Sequence, residues 1–270
     1  VWYNSYCSQV ELAVHEDGVV KGVYTSHTGS TGSSDAVGYV GKPISNREVT
    51  GTPVSLAIKW RLINEDAPPS DRSSHWVSNM AGQYNPAQTI KVSGQQPYSI
   101  DETLYMLNEL NATAAASDID EPPRLLPQDL IFHKAPPSYC EPITPPARKP
   151  YTPTAKDLIS GKWKNIDGDI LNVSVNKKDF SVSGNLITSD RRTYKVLGQA
   201  DPIAGNPPLV PQQGITLAVK NEAGNILALV GGVNIPDGNR LELWKSELRS
   251  TTWITRYKQL TFDKQDWIRQ

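Results

Sequence analysis

The sequence predicts an all-β protein built from two antiparallel up-and-down β-barrels that are joined by a proline-rich linker. Three observations support this fold class: alternation of apolar and polar residues, a sequence pattern that occurs twice, and a dense run of prolines between the two copies. Alternation with period two is typical of strands that bury one face, and many short strands at regular spacing are typical of a sandwich or barrel. Similar stretches about one small domain apart indicate a duplication.

Alternation is clear in both halves of the chain. Apolar side chains occupy every second position from Val54 to Trp60 and again from Ile215 to Val219. Clusters of glycine, proline, serine and asparagine separate such runs, as turns between strands require. The segment Ser99–Leu110 fits a helix or a strand equally well, and the sequence leaves both open.

The repeat and the prolines divide the chain. Trp2-Tyr3-Asn4 returns as Trp163-Lys164-Asn165, and seven prolines lie within residues 135–154. This density of proline excludes a helix or a central strand and favours a semi-rigid extended linker. We therefore predict a first barrel over residues 1–134, a linker over 135–154 and a second barrel over 155–270.

Composition excludes several classes of partner. Lysine and arginine number 27 against 28 acidic residues, and both signs are spread along the chain, which gives a net charge of -1. We expect no nucleic-acid partner, because a basic stripe is lacking, and no membrane partner, because no apolar run approaches the ~18 residues of a span. The sequence has no cluster with metal-ligand spacing, no phosphate-binding loop and no esterase motif, so we expect neither a metal nor a cofactor.

Cysteines and sequons favour secretion of a glycoprotein. Cys7 and Cys140 either form a bridge that ties the linker to the first barrel or remain two thiols, and a bridge would fit an oxidising compartment. The glycosylation sequons begin at Asn111 and Asn172. The chain starts inside its first predicted strand, which fits removal of a preceding segment.

Five stretches of the first half stand in an order and spacing known from one family. They are Trp2-Tyr3-Asn4 with Ser8, Gly22–Ser26 with Gly29, Ala57–Trp60, Ser78–Tyr84 and Leu125–Asp129. Together they resemble the avidin/streptavidin family, in which an eight-stranded barrel binds biotin inside one end. The resemblance implies avidin-like barrels here, with a small-molecule pocket inside the first one.

The resemblance also implies roles for individual residues. Asn4, Ser8 and Tyr24 match the three groups that hold the ureido oxygen of biotin. Ser26 and Asp129 match the acceptors for its ureido N–H groups. The pocket wall would be completed by Trp60, an indole face, by Ser78, a hydroxyl that faces the sulfur, and by Met80 and Tyr105.

Met80 and Tyr105 also mark the main departures from the family, because both stand where it has pocket tryptophans. Glu121 or Pro122 replaces a further tryptophan that a neighbouring subunit lends as a lid. Each lost indole face removes roughly 1.5–3 kcal/mol of apolar burial. The resemblance therefore implies weaker biotin binding than in the tight family members, and an adaptable wall at Met80.

The second half keeps Trp163, Asn165 and Trp244 at positions that match the family. It replaces the polar and aromatic pocket residues of the first half by Leu186 for Tyr24, Val219 for Trp60 and Leu260 for Asp129. We therefore expect the second barrel to be structural or to bind something apolar. Trp253 lies near the position of the family's lid tryptophan.

Two functions remain open at this point, beside a purely structural or adhesive role. The first is a small-molecule binding protein whose ligand is biotin or another small hydrophobic or cyclic compound. The alternative is a cyclase- or isomerase-type enzyme acting in the same pocket on a polyketide- or terpenoid-like substrate. In it Tyr24 and Asn4 would polarise a carbonyl and Asp129 would act as the base. We expect a homo-oligomer or a pseudo-dimer within the chain.

Overall fold

The computed structural model describes residues 1–26, 32–43, 49–61, 75–91, 93–112, 125–141, 156–202, 212–252 and 260–270. These residues form strands and turns without any helix, so none of them forms a helix that could cross a membrane. The strands close into two eight-stranded antiparallel barrels. The predicted fold class is therefore confirmed.

The first barrel is an up-and-down meander that closes where its fifth and sixth strands pair. Its strands are β1 (Trp2–Asn4), β2 (Gln9–Val14), β3 (Val19–Ser26), β4 (Gly32–Val40), β5 (Val49–Arg61), β6 (His75–Asn85), β9 (Thr103–Ala112) and β10 (Leu125–His133). A small hairpin of β7 (Gln88–Ile90) and β8 (Tyr98–Ile100) is inserted between β6 and β9. The segment Ser99–Leu110, which the sequence left open, thus belongs to two strands.

The second barrel repeats this topology in the other half of the chain. Its strands are β11 (Gly161–Asn165), β12 (Ile170–Val175), β13 (Ser181–Ile187), β14 (Thr193–Ala200), β15 (Gln212–Lys220), β16 (Ile226–Asn234), β17 (Arg240–Leu248) and β19 (Leu260–Arg269). The short strand β18 (Thr251–Thr252) leaves this barrel and pairs with β5 of the first one.

The inward-facing residues of the strands line the interior of each barrel and form its core, as the period-two alternation predicts. Trp2 and Phe132 belong to the core of the first barrel, and Trp163 and Trp267 belong to that of the second. The Trp163 indole donates to the carbonyl of Ile159 at 2.9 Å, which satisfies its buried N–H.

The barrels pack against each other through outward-facing residues of β4, β5, β6 and β9 on one side and β14 to β17 on the other. An apolar cluster that includes Tyr39, Ala81, Ala218 and Ile226 lies at this contact. Asn79 crosses it, since its Nδ2 donates to the carbonyl of Leu217 at 2.9 Å. The expected homo-oligomer remains a prediction.

A disulfide joins Cys7, in the turn after β1, to Cys140, with a Cα–Cα distance of 5.3 Å. The bridge that the sequence left open is therefore present, and it ties the start of the linker to the first barrel. Residues 142–155 lie outside the described residues, so the predicted bounds of the linker remain predictions. Of the two sequon asparagines, Asn172 is exposed on β12. Asn111 is buried between the barrels, where a glycan does not fit.

Candidate functional site

Seven of the nine predicted site residues come together inside the first barrel, and each is at most 6% exposed. We call this group the lumen cluster; it consists of Asn4, Ser8, Tyr24, Ser26, Trp60, Ser78 and Met80. The strands bring them together because each occupies an inward position of β1, β3, β5 or β6, or of the turn after β1. Such a set of polar groups in a small barrel requires internal hydrogen bonds or a ligand.

Asn4 is the centre of the polar half of the cluster. Its Oδ1 accepts hydrogen bonds from the backbone N–H groups of Tyr6 and Ser8, both at 3.0 Å. Its Nδ2 donates to the Tyr24 hydroxyl at 3.2 Å. The asparagine thus shapes the turn through its oxygen and orients the phenol through its nitrogen.

Tyr24 presents its hydroxyl to the lumen from a fixed ring. The ring packs edge-on against Trp60 at a centroid distance of 4.8 Å and against Phe132 at 6.1 Å. Burial raises the pKa of the Tyr24 phenol above its usual value of 10.0, although hydrogen bonds from Ser8 and Asn4 act in the opposite direction. The phenol is therefore neutral at physiological pH. The phenol accepts the bond from Asn4, and its own proton can be donated to the Ser8 hydroxyl or to a ligand in its place.

Two further hydrogen bonds order the walls of the cluster. The Ser8 Oγ lies 3.4 Å from the Ser26 Oγ, which is long for a bond between hydroxyls. The Trp60 indole donates to the Ser78 Oγ at 2.6 Å. The second contact fixes the indole plane and leaves the proton of Ser78 for another acceptor.

Asp129 and Tyr105 lie on the outer face of the first barrel, so the predictions that they line the pocket are wrong. Asp129 is exposed and pairs with Leu107, while the adjacent Leu130 and Phe132 take the inward positions of β10. The predicted alignment is thus one residue out of register, and such a shift exchanges the two faces of a strand. Partial burial and the neighbouring Asp129 carboxylate raise the pKa of the Tyr105 phenol.

Asn108 and Trp76 are lumen residues that the sequence did not predict. Asn108 pairs with Met80 across β6 and β9, is 7% exposed, and has a buried Oδ1 without a hydrogen-bond partner among the described residues. Trp76 pairs with Trp60, and its Nε1 is likewise unpartnered. Residues 104–107 form a continuous apolar run, so no alternation marks the inward face of β9 before Asn108.

Among the residues that the structure describes, the second barrel has no comparable polar cluster at the matching positions. Leu186 and Val219 lie in its apolar core, as expected, whereas Leu260 packs at the contact between the barrels. Trp244, which stands at a position that matches the family, lies on the outer face of the second barrel and stacks on Phe262.

Asn165 shows which function of Asn4 is merely structural. The Asn165 Oδ1 accepts from the backbone N–H of Asp169, four residues later, as Asn4 does from Ser8. The Asn165 Nδ2 donates to the local Asp169 carboxylate at 3.3 Å, its one side-chain partner among the described residues. The turn is thus common to both barrels, and the bond to a lumen phenol occurs in the first alone. The predicted lid positions Glu121, Pro122 and Trp253 lie outside the described residues.

Comparison with known proteins adds little to this picture. No family model matches the chain, and no curated protein matches its sequence at a significant level. Among solved structures, the chain is similar to the crystal structure of Xenavidin, with 17% identity over 43% of this chain and 100% of that one, and a TM-score of 0.37. A TM-score this low supports no argument about function.

Proposed function

We propose that this protein binds a small ligand inside its first barrel, at the lumen cluster. The observation that carries the proposal is the Asn4–Tyr24 hydrogen bond, which aims a neutral, deeply buried phenol into a barrel interior next to Trp60. The second barrel fills the corresponding positions with Leu186 and Val219. A barrel that needs only stability uses such apolar residues, so the polar set of the first barrel indicates recognition.

The chemistry of the cluster favours a cyclic urea, lactam or imide. The Tyr24 hydroxyl is placed to donate to a carbonyl oxygen, and the unpartnered Asn108 Oδ1 is an acceptor for a ring N–H. Trp60 and Met80 supply apolar wall for the rest of the ring. Biotin contains such a ring, so we include it among the candidate ligands.

A cyclase or isomerase is not favoured. That function required Asp129 as a base inside the pocket, and Asp129 is exposed on the outer face. The lumen cluster itself contains no carboxylate, and a phenol with a raised pKa is a poor base at neutral pH.

The disulfide between Cys7 and Cys140 supports the further proposal that the protein is secreted, because such bonds persist in oxidising compartments. Asn172, which is exposed, is the sequon that we propose to be glycosylated.

Isothermal titration of the purified protein with biotin tests the binding proposal. We expect one site, and we expect Tyr24→Phe to weaken binding by about 5- to 150-fold, since a lost buried hydrogen bond costs about 1–3 kcal/mol. The matched control is Tyr39→Phe, because Tyr39 is equally buried but belongs to the contact between the barrels. Absence of binding to the wild type, or equal losses in both variants, would contradict the proposal.

A further inference from the structure

A cavity of about 660 Å³ lies outside the interiors of the two barrels, in a cleft between them. We call it the inter-barrel cleft. The first barrel contributes Leu107 and Asn111 from β9 to its lining, and the second barrel contributes Trp244, Leu260, Phe262 and Lys264. Its volume lies within the range of about 300–1,000 Å³ that is typical of small-molecule sites.

An aromatic pair forms one wall of the cleft. Trp244 and Phe262 stack with their ring centroids 5.0 Å apart and their planes at 15°. Phe262 is 42% exposed, so much of its ring remains accessible. Stacked, partly exposed rings of this kind offer a flat apolar surface on which another ring can pack.

Asn111 supplies a hydrogen-bond donor that the fold itself does not use. Its side chain is 4% exposed and lines the cleft, yet its Nδ2 has no partner among the residues that the structure describes. Buried side-chain donors are nearly always paired, and an unpaired one calls for an explanation. A ligand oxygen in the cleft would provide the missing acceptor.

Glu109 lies between Leu107 and Asn111 on the same outward face of β9. Its Oε1 accepts a hydrogen bond from the Ser246 hydroxyl, and its buried Oε2 has no partner in the described part of the chain. Burial raises the pKa of this carboxyl to about 8, so at neutral pH it carries a proton. Because it is protonated, this carboxyl adds no negative charge beside the cleft.

We propose that the inter-barrel cleft binds an uncharged, flat ring compound that bears a carbonyl oxygen, such as an aromatic lactone or ketone. The ring would pack against the aromatic pair, and the oxygen would accept from the Asn111 Nδ2. This site is separate from the lumen cluster, because Asn111 and Asn108 lie on opposite faces of β9.

The charges around the cleft favour an uncharged ligand. The Lys264 Nζ lies 3.0 Å from Glu242, so the two side chains neutralise each other. The largely apolar lining also argues against a sugar, since the many hydroxyl groups of a sugar require more partners than the amides of Asn111 and Gln212 provide. Leu107 and Leu260 instead offer apolar surface on which a ring can pack.

Equilibrium dialysis of the whole protein against coumarin, an uncharged flat lactone, tests this proposal. We expect saturable binding that becomes at least about tenfold weaker in Asn111→Leu, which has a similar volume but no donor. The melting temperature of Asn111→Leu should stay the same or rise, because the substitution removes an unpaired buried group. A merely structural asparagine would give the opposite shift.

Three comparisons make the result decisive. Naphthalene, which is flat but has no oxygen, should bind the wild type and Asn111→Leu equally. Asn172→Leu, on an exposed strand face, should leave coumarin binding unchanged. The proposal is overturned if the wild type shows no saturable coumarin binding, if Asn111→Leu binds coumarin as the wild type does, or if Asn108→Leu alone abolishes binding, which would assign coumarin to the lumen.

Discussion

Replacement of Glu109 by glutamine should remove a large part of the pH dependence of folding. The carboxyl is fully buried between the barrels, and burial raises its pKa from 4.5 to about 8, although the hydrogen bond from Ser246 acts in the opposite direction. The residues that pair with it on the adjacent strands, Asn79 and Pro127, carry no charge that would stabilise an ionised form. The folded protein therefore retains a proton that the unfolded chain has already released.

The sign and size of the effect follow from this difference. Between the two pKa values the unfolded state binds fewer protons, so the free energy of unfolding falls as the pH rises. The interval from 4.5 to about 8, at about 1.4 kcal/mol per pH unit, amounts to roughly 5 kcal/mol. The loss begins near the lower value and is complete above the higher one.

Urea unfolding of the wild type and of Glu109→Gln in acidic, neutral and mildly alkaline buffer measures this effect. Glutamine keeps an oxygen for Ser246 but cannot ionise, so the variant should gain several kcal/mol over the wild type as the pH rises through the interval. The control is Glu11→Gln, since Glu11 is exposed on β2 and its replacement should leave the pH dependence unchanged. The reasoning would be refuted if the free energy of unfolding changed with pH in the same way for the wild type and for Glu109→Gln.

Three further predictions concern stability. Asn79→Ala removes the hydrogen bonds that cross between the barrels and should lower the free energy of unfolding by about 1–3 kcal/mol in urea titrations; an unchanged value would show that the contact does not depend on them. The double change Cys7→Ser and Cys140→Ser opens a loop of 133 residues and should lower the free energy of unfolding by about 2–5 kcal/mol, which is measured as a lower melting temperature. An unchanged melting temperature would show that the disulfide does not restrict the unfolded chain. Leu186→Ala leaves a cavity in the core of the second barrel and should lower the free energy of unfolding by about 2–5 kcal/mol, while the affinity for biotin stays the same. Loss of biotin binding by a folded Leu186→Ala variant would show that the binding site lies in the second barrel.

The fold was predictable because alternation and duplication are properties of many residues at once. An error at one position does not change the period of a strand, and the same pattern occurs in both halves of the chain. The inward set of β5, from Val54 to Trp60, was correct for this reason. The proline-rich run likewise predicts that the strands fall into two groups, and this division does not depend on the exact first and last residues of the linker.

The site was only partly predictable because facing depends on the register of single residues. Asn4 and Tyr24 were found where a motif and alternation agreed. Asp129 was misassigned because Pro127-Gln128-Asp129 contains no alternation that would fix its face, and the motif alone shifted it by one position. Asn108 was missed because a polar residue within a strand gives no sign of its direction.

The sequence allowed a pseudo-dimer within the chain, but the residues that form the contact between the barrels could not be predicted from it. Glu109 and Asn111 stand on the outer face of a strand, where charged and polar residues are ordinarily solvated. The docking of the second barrel over that face buries them. Such burial is a property of tertiary packing, and local sequence contains no record of it.

Co-crystallisation with biotin is the most direct test of the claim that the first lumen is a binding site. We predict electron density for the ligand inside the first barrel, with its ureido oxygen within hydrogen-bond distance of the Tyr24 hydroxyl and a ring N–H facing Asn108. The same crystals should show only side chains around Leu186 in the second barrel. A first lumen filled by its own side chains, or biotin bound solely outside it, would contradict the claim.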